Sequence, residues 1–181
     1  PVGLGMGAME KVILQEDAMD RALECLREFK SVFQAKGGDL KDFHAIGTSI
    51  LRRASNAEVF IQRVKKELGI QIQVIDGMQE AEYIYSGIRN SLPERWDKTS
   101  LVMDIGGGSV EFILFEGTRI LFKVSLELGG LRLLSLFQQD GQFHLAKLVD
   151  MQAYILEQMK PLFTACAEYK PSVLIGAAGA F

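Results

Sequence analysis

The chain has 181 residues, 48% apolar and 24% charged, with a formal net charge of −3. That length allows one large domain or two small ones, and the composition is that of an ordinary globular protein. The charge is mildly acidic with no basic block, which argues against a nucleic-acid partner. No apolar run reaches the roughly 18 residues a membrane span needs, so no membrane association is expected. Cys25 and Cys166 lie far apart in helix-like patterns. They read as buried free thiols of a reducing, cytoplasmic location. The sequence begins at Pro1 rather than Met and opens mid-pattern, so a portion of a longer protein is expected.

Val2 to Leu14 mixes glycine with apolar residues and reads as a strand pair or a strand with a loop. From Asp17 to Ala35, apolar residues at Ala18, Ala22, Cys25, Leu26, Phe29, Val32 and Phe33 keep helical spacing, and Gly37-Gly38 ends the helix. Phe43 to Gly47 reads as a short buried strand. Ser55-Asn-Ala-Glu58 has the form of a capping box, predicting a helix to Leu68 that Gly69 closes. Ile70 to Ile75 alternates like a strand. Met78 to Ser91 is helical, with Ala81, Ile84, Tyr85 and Ile88 on one face. The polar connector Pro93 to Lys98 suggests a boundary between domains 1–95 and 96–181.

Leu101–Asp104, Ser109–Phe115 and Arg119–Ser125 form three strands, and a helix follows Gly129-Gly130. Phe143 to Tyr169 is helical with a break at Pro161, and Ser172 to Ile175 is a last strand. Alternating elements followed by a meander argue a mixed α/β architecture of two lobes.

Chemistry concentrates in Asp104-Ile-Gly-Gly-Gly-Ser-Val-Glu111, where a strand enters a glycine turn and a second strand leaves it. Glycine lets backbone N–H groups approach an anion closely, and an acidic residue at the strand end suits a divalent metal travelling with phosphate. A hairpin with a loose turn is the plain alternative. Walker A and Rossmann loops are excluded, because no Lys-Ser/Thr follows and a strand rather than a helix comes next. Thr48-Ser-Ile-Leu-Arg52-Arg53 after a strand suits recognition of phosphate oxygens, or is a surface helix start with solvated arginines. Glu80 and Glu82 open a helix, where carboxylates commonly serve the dipole. Beside a phosphate cradle, Glu80 would instead be a general base toward water. Two positions apart, Glu80 and Glu82 cannot both point into one cleft. Phe29, Phe33, Tyr83 and Tyr85 read as core.

Four segments then carry a resemblance. They are Ala45-Ile-Gly-Thr-Ser-Ile-Leu-Arg52, Val74-Ile-Asp-Gly77-Met-Gln-Glu80-Ala, Asp104-Ile-Gly-Gly-Gly-Ser-Val-Glu111 and Ser125-Leu-Glu-Leu-Gly129. In order and spacing they resemble the exopolyphosphatase/guanosine pentaphosphate phosphatase (Ppx/GppA) family over nearly the whole chain. Gly176-Ala-Ala-Gly-Ala-Phe181 is similar to that family's later glycine motif. The resemblance implies an actin-like ATPase (ribonuclease H-like) two-domain fold, with mixed sheets flanked by helices. It also implies Mg²⁺-dependent removal of terminal phosphates from polyphosphate or guanosine pentaphosphate.

By the same resemblance Glu80 is catalytic and Arg52 contacts polyphosphate. Gly106, Gly107, Gly108 and Ser109 hold phosphate, and Asp104 and Glu111 lie at the metal. Members of that family are often homodimers through the part absent here, so the resemblance leaves the oligomeric state of this chain open. The family's leading Asp-x-Gly-(Ser/Thr)-Asn loop is not found, and its C-terminal helical region is absent too, so this chain is expected to be a portion of the enzyme. An actin-like kinase shares the glycine loop but leaves Gly77-x-x-Glu80-Ala unexplained. A nucleotide-binding scaffold without enzymatic activity is the other alternative.

Overall fold

A computed structural model describes residues 2–5, 12–93, 96–138, 142 and 144–177. The chain forms two compact units, Pro1–Asp76 and Gly77–Phe181. They divide ahead of the helix bearing Glu80, and not at the 93–98 connector that the sequence suggested. The reason is packing. The apolar face of that helix is buried on strands of the second unit. Among the described residues no helix is long and apolar enough to cross a membrane.

In the first unit, helix α1 (Glu16–Ala35) is followed by strand β1 (Ala45–Gly47) and the short helix α2 (Ser49–Arg53). Helix α3 (Ala57–Leu68) and strand β2 (Ile72–Val74) complete it. β1 and β2 pair in parallel, with Gly47 opposite Val74. Phe60, Val64 and Leu68 recur every fourth residue, so they share one stripe of α3, and all three are buried with Leu14, Met19, Leu23 and Ile70. Gly69 ends α3 at φ +67°, a left-handed conformation in which only glycine is unstrained, and its N–H reaches the Lys65 carbonyl. None of residues 2–5 and 12–14 is strand; the remainder of the expected strand pair lies outside the described residues.

The expected capping box is not made. Asn56 occupies the cap position, and its side chain does not bond the helix end. Its amide faces the backbone of Leu14 instead: Leu14 N–H donates to Oδ1 at 2.8 Å and Nδ2 donates to the Leu14 carbonyl at 3.0 Å. An asparagine amide carries an NH2 donor group beside a carbonyl acceptor, matching the two groups of an extended residue. Leu14 is 2% exposed, so without Asn56 both groups would be buried unpaired. Ser55 Oγ makes only a long 3.4 Å contact to the Val12 carbonyl, and Glu58 bonds Gln62.

In the second unit, helix α4 (Gly77–Ser91) precedes strands β3 (Ser100–Ile105), β4 (Val110–Glu116) and β5 (Arg119–Leu126). Helices α5 (Gly130–Phe137), α6 (Leu145–Gln158) and α7 (Lys160–Tyr169) follow, then strand β6 (Val173–Ala177). Pro161 lies in the first turn of α7, which begins anew after α6, as its fixed φ and missing N–H require. The sheet order is β5-β4-β3-β6, antiparallel except for β3 with β6. β4 is central and buried from Val110 to Phe115. Val102, Ile113 and Phe115 meet Ala81, Ile84, Tyr85 and Ile88 of α4, and Val110, Phe112 and Leu126 meet Leu162 of α7 from the other side.

Phe33 packs edge-on to Phe43, and Tyr85 edge-on to Phe115. Phe29 and Tyr83, expected in the core, are more than half exposed. Cys25 and Cys166 are free thiols but half-buried rather than buried.

The Asn56 contacts give a discriminating prediction. Asn56→Ala should cost about 1–3 kcal/mol, the desolvation penalty of orphaned backbone groups. Ser55→Ala should stay within about 0.5 kcal/mol, where a working cap would cost about 1. Urea denaturation of the two variants checks this, and a larger loss for Ser55→Ala would restore the capping box.

Candidate active site

Strand pleating builds one polar row in the second unit. Side chains alternate faces along a strand, and cross-strand partners share a face. Asp104 on β3 pairs with Glu111 on β4, Glu111 pairs with Ser125 on β5, and Ala177 on β6 pairs with Asp104. The row Ala177–Asp104–Glu111–Ser125 continues the face on which Val102 and Ile113 carry α4. Glu80 lies in the first turn of α4, one residue before buried Ala81. Glu82 pairs with Lys123, which ties that end of the helix to β5.

Glu111 is 2% exposed. Ser125 Oγ donates to its Oε1 at 2.7 Å, and the Ser109 hydroxyl also bonds it. Burial pushes the Glu111 carboxyl above its ordinary range. The two serine hydroxyls oppose that rise, and the charges of Glu80 and Asp104 add to it. Burial also raises Asp104, and the Glu80 charge raises it further. Three carboxylates thus stand within mutual electrostatic reach. Such a set favours a proton or a cation.

The loop from Gly106 to Ser109 joins β3 to β4, and Gly106 N–H closes it on the Ser109 carbonyl at 3.0 Å. Its carbonyls are turned toward the start of α5. Gly106 O accepts from Gly130 N–H at 3.0 Å, Gly107 O from Arg132 N–H at 3.2 Å, and Gly108 O from Gly129 N–H at 3.3 Å. A Cβ on Gly129 would lie 2.4 Å from backbone atoms of Gly107 and Gly108, so no other residue permits this approach.

Glu80, Asp104, Gly106, Gly107, Gly108, Ser109 and Glu111 therefore all belong to the second unit and converge on one end of its sheet. Arg52 belongs to the first unit. It is half-buried and not free: its Nη1 donates to the Ile75 carbonyl at 2.9 Å, linking α2 to the end of β2. Gly176 and Ala177 extend β6, and residues 178–181 of the later glycine motif lie outside the described residues. Sequence reasoning missed Ser125 as the partner of Glu111 and Arg132 as a buried cation, 7% exposed, behind the loop. The available signal was an arginine inside the apolar run Gly130-Leu-Arg-Leu-Leu.

Residues 2–181 match the family described as Ppx/GppA phosphatase. The chain belongs to the Ppx/GppA phosphatase family. It is 34% identical over 140 residues to a putative exopolyphosphatase of Haemophilus influenzae, covering 77% of this chain and 42% of that protein. It is 33% identical over 143 residues to a bifunctional 3-dehydroquinate synthase/phosphatase of Fusobacterium nucleatum, covering 79% of this chain and 22% of that protein.

Among solved structures, an exopolyphosphatase from Cytophaga hutchinsonii superposes with a TM-score of 0.90 at 42% identity, over 98% of this chain and 56% of that one. A PPX-GPPA enzyme of Aquifex aeolicus gives 0.71 at 27% identity, over 98% and 56%. The chain thus spans between about a fifth and just over half of the length of these relatives. The fold is the one the resemblance implied.

Two predictions follow from this Ppx/GppA geometry. Gly129→Ala should destabilise by about 1–3 kcal/mol through overpacking. Gly130→Ala, whose Cβ would meet nothing within 4 Å, should be neutral or stabilising. Equal thermal shifts for the two would refute the close approach. The second concerns pH. Folded Asp104 binds a proton more readily than the unfolded chain, so its penalty is absent below the ordinary value of 3.8 and complete above the raised folded value. Stability therefore falls as pH rises across that window. In EDTA, Asp104→Asn should raise the melting temperature at pH 7, and the gain should shrink toward pH 3.5. A gain independent of pH would contradict the charge argument.

Proposed function

We propose that the protein bearing this chain removes terminal phosphoryl groups from inorganic polyphosphate in a Mg²⁺-dependent reaction. The observation that carries this reading is the meeting of Glu80 and Asp104 beside a loop whose three glycine carbonyls are drawn to the start of α5. A trans peptide sets its N–H opposite its C=O. With the glycine carbonyls held there, the Gly107, Gly108 and Ser109 N–H groups are left for phosphate oxygens. Family membership and the relatives called exopolyphosphatase support the substrate class.

The donor set fits Mg²⁺ in a limited way. Among the described residues no three His, Cys, Asp or Glu side chains are arranged to hold a metal ion. Mg²⁺ needs fewer: it keeps several waters and takes one or two carboxylates together with substrate phosphates. Asp104, half-buried and under repulsion from Glu80, is the ligand we assign. Glu111 is engaged by Ser109 and Ser125, so it would fix the loop hydroxyl in place rather than serve as the first ligand. When bound, Mg²⁺ would neutralise charge on the phosphate oxygens.

Glu80 then orients a water and accepts its proton as the water attacks the terminal phosphorus. The bond to the bridging oxygen breaks, and the shortened polyphosphate leaves. Phosphoryl transfer depends mainly on positioning and charge stabilisation, which a rigid loop and a fixed carboxylate supply. Arg52 keeps its role as a polyphosphate contact on the resemblance alone, with one nitrogen already engaged by Ile75. Guanosine pentaphosphate, named for part of this family, presents the same terminal phosphoryl chemistry and is the second substrate to test.

Phosphate release from long-chain polyphosphate with Mg²⁺ tests the reading in the full-length protein. Glu80→Gln should cut turnover by roughly 10²–10⁴, the usual contribution of a positioned base. Undiminished activity in that variant would remove Glu80 from the mechanism. ATP-dependent phosphorylation of an acceptor, without release from polyphosphate, would replace the hydrolase by a kinase.

A further inference from the structure

Arg132 has no part in the reaction drawn above, yet it is one of the few buried charged residues among those described. Its Nε donates to the Gly108 carbonyl at 2.8 Å, shorter than the 3.3 Å bond that Gly129 N–H makes to the same oxygen. Its own backbone N–H takes the Gly107 carbonyl at 3.2 Å. Its guanidinium also pairs with Glu127, on the segment that leads into α5. One side chain therefore ties together the loop, the strand exit after β5 and the first turns of α5.

The consequence is stereochemical. The chain has no cis peptide among its described bonds. The Gly108 carbonyl and the Ser109 N–H belong to one peptide plane, so fixing the first toward α5 aims the second away from it. The Gly107 carbonyl sets the Gly108 N–H in the same way. A run of glycines lacks the Cβ atoms that would otherwise limit such planes to one orientation, so the loop's own backbone does not hold them. A flipped Gly108 peptide would present a carbonyl oxygen to an anionic ligand. A charge-assisted hydrogen bond is about twice as strong as a neutral one, which makes the Nε contact the firmest tie on that plane.

The geometry points to Arg132 as a positioning residue: by holding the Gly108 carbonyl, it keeps the Ser109 and Gly108 N–H groups aimed at the phosphate. Glu127 orients the guanidinium for that task. The identity of the phosphate ligand rests on the phosphatase reading; the locking of the loop does not. Removing the lock costs ground-state and transition-state binding alike, so the effect falls on KM more than on kcat.

The test uses the full-length protein and two probes, inorganic phosphate by calorimetric titration with Mg²⁺ and long-chain polyphosphate by steady-state kinetics. Arg132→Met should weaken phosphate binding and raise KM by roughly tenfold or more, the loss of about one charge-assisted hydrogen bond. kcat should change less. Arg132→Lys should recover part of the loss, and added methylguanidinium should restore binding to Arg132→Ala. Should Arg132→Met not fold, Glu127→Gln reads the same effect more weakly, as a rise of a few-fold in phosphate Kd.

Wild-type phosphate affinity in these variants would overturn the proposal. So would parallel losses of kcat, KM and melting temperature that methylguanidinium does not reverse, since those mark a structural role. If the wild type hydrolyses no polyphosphate but its phosphate Kd still depends on Arg132, the lock stands and the substrate assignment fails.

Discussion

The register of β3 against β4 decides where Asp104 and Glu111 point. Asp104 opposite Glu111, with Gly106–Ser109 closing the turn, sets both carboxylates on the face that α4 covers. A slip of one residue would turn them to the opposite face, among Leu101, Met103 and Phe112, where a carboxylate has no polar partner. The register is held by hydrophobic burial on both sides of β4. Ile113 and Phe115 are fully buried under α4, and Phe112 is nearly so on the other face. Burying one such side chain contributes on the order of 1.5–3 kcal/mol, as much as one hydrogen bond to a carboxylate at the row, and several such side chains act together. Apolar packing thus fixes the geometry, and the charged groups accept the positions it imposes.

Those positions are unfavourable for the charges themselves. Burial and neighbouring negative charge both raise Asp104 and Glu111. The cost is tolerated because the surrounding elements over-determine the site. Ser125 and Ser109 hold Glu111, and the Glu82–Lys123 pair fixes the end of α4 from which Glu80 projects. A cluster of repelling carboxylates on a rigid sheet end has a free-energy reason to take up a cation. That is the property a phosphate-processing centre needs, and a core built only for stability would lack it.

Much of this was legible in the sequence. The β3–loop–β4 unit follows from apolar runs flanking three glycines, and the buried face of α4 follows from the spacing of Ala81, Ile84, Tyr85 and Ile88. What escaped shares a physical cause: it depends on partners distant in the chain. Asn56 looked like part of a capping box because local pattern favours one, but Leu14, 42 residues earlier, offered its amide a better match. The unit boundary looked like a polar connector because composition marks linkers, whereas the packing of α4 decided it. Arg52 was legible as a guanidinium near a strand end, and its bond to Ile75 was not, because that requires β1 and β2 to pair.

The two glycine clusters show how one constraint can serve two ends. Gly106–Gly108 suggests a loop emptied of side chains for a ligand, and Gly129-Gly130 suggests a flexible turn before a helix. The contacts join them. A Cβ on Gly129 would strike the loop backbone, and a Cβ on Gly107 would lie 3.2 Å from Leu131. Each cluster is bare partly so that the other can approach. That approach lets α5 and Arg132 claim the loop carbonyls. Rigidity in this loop therefore comes not from its own residues, which are the most permissive available, but from a helix pressed against it. On the proposed phosphate reading, substitutions at Gly129 or Arg132 should accordingly register in phosphate binding although neither residue is assigned a contact with the phosphate.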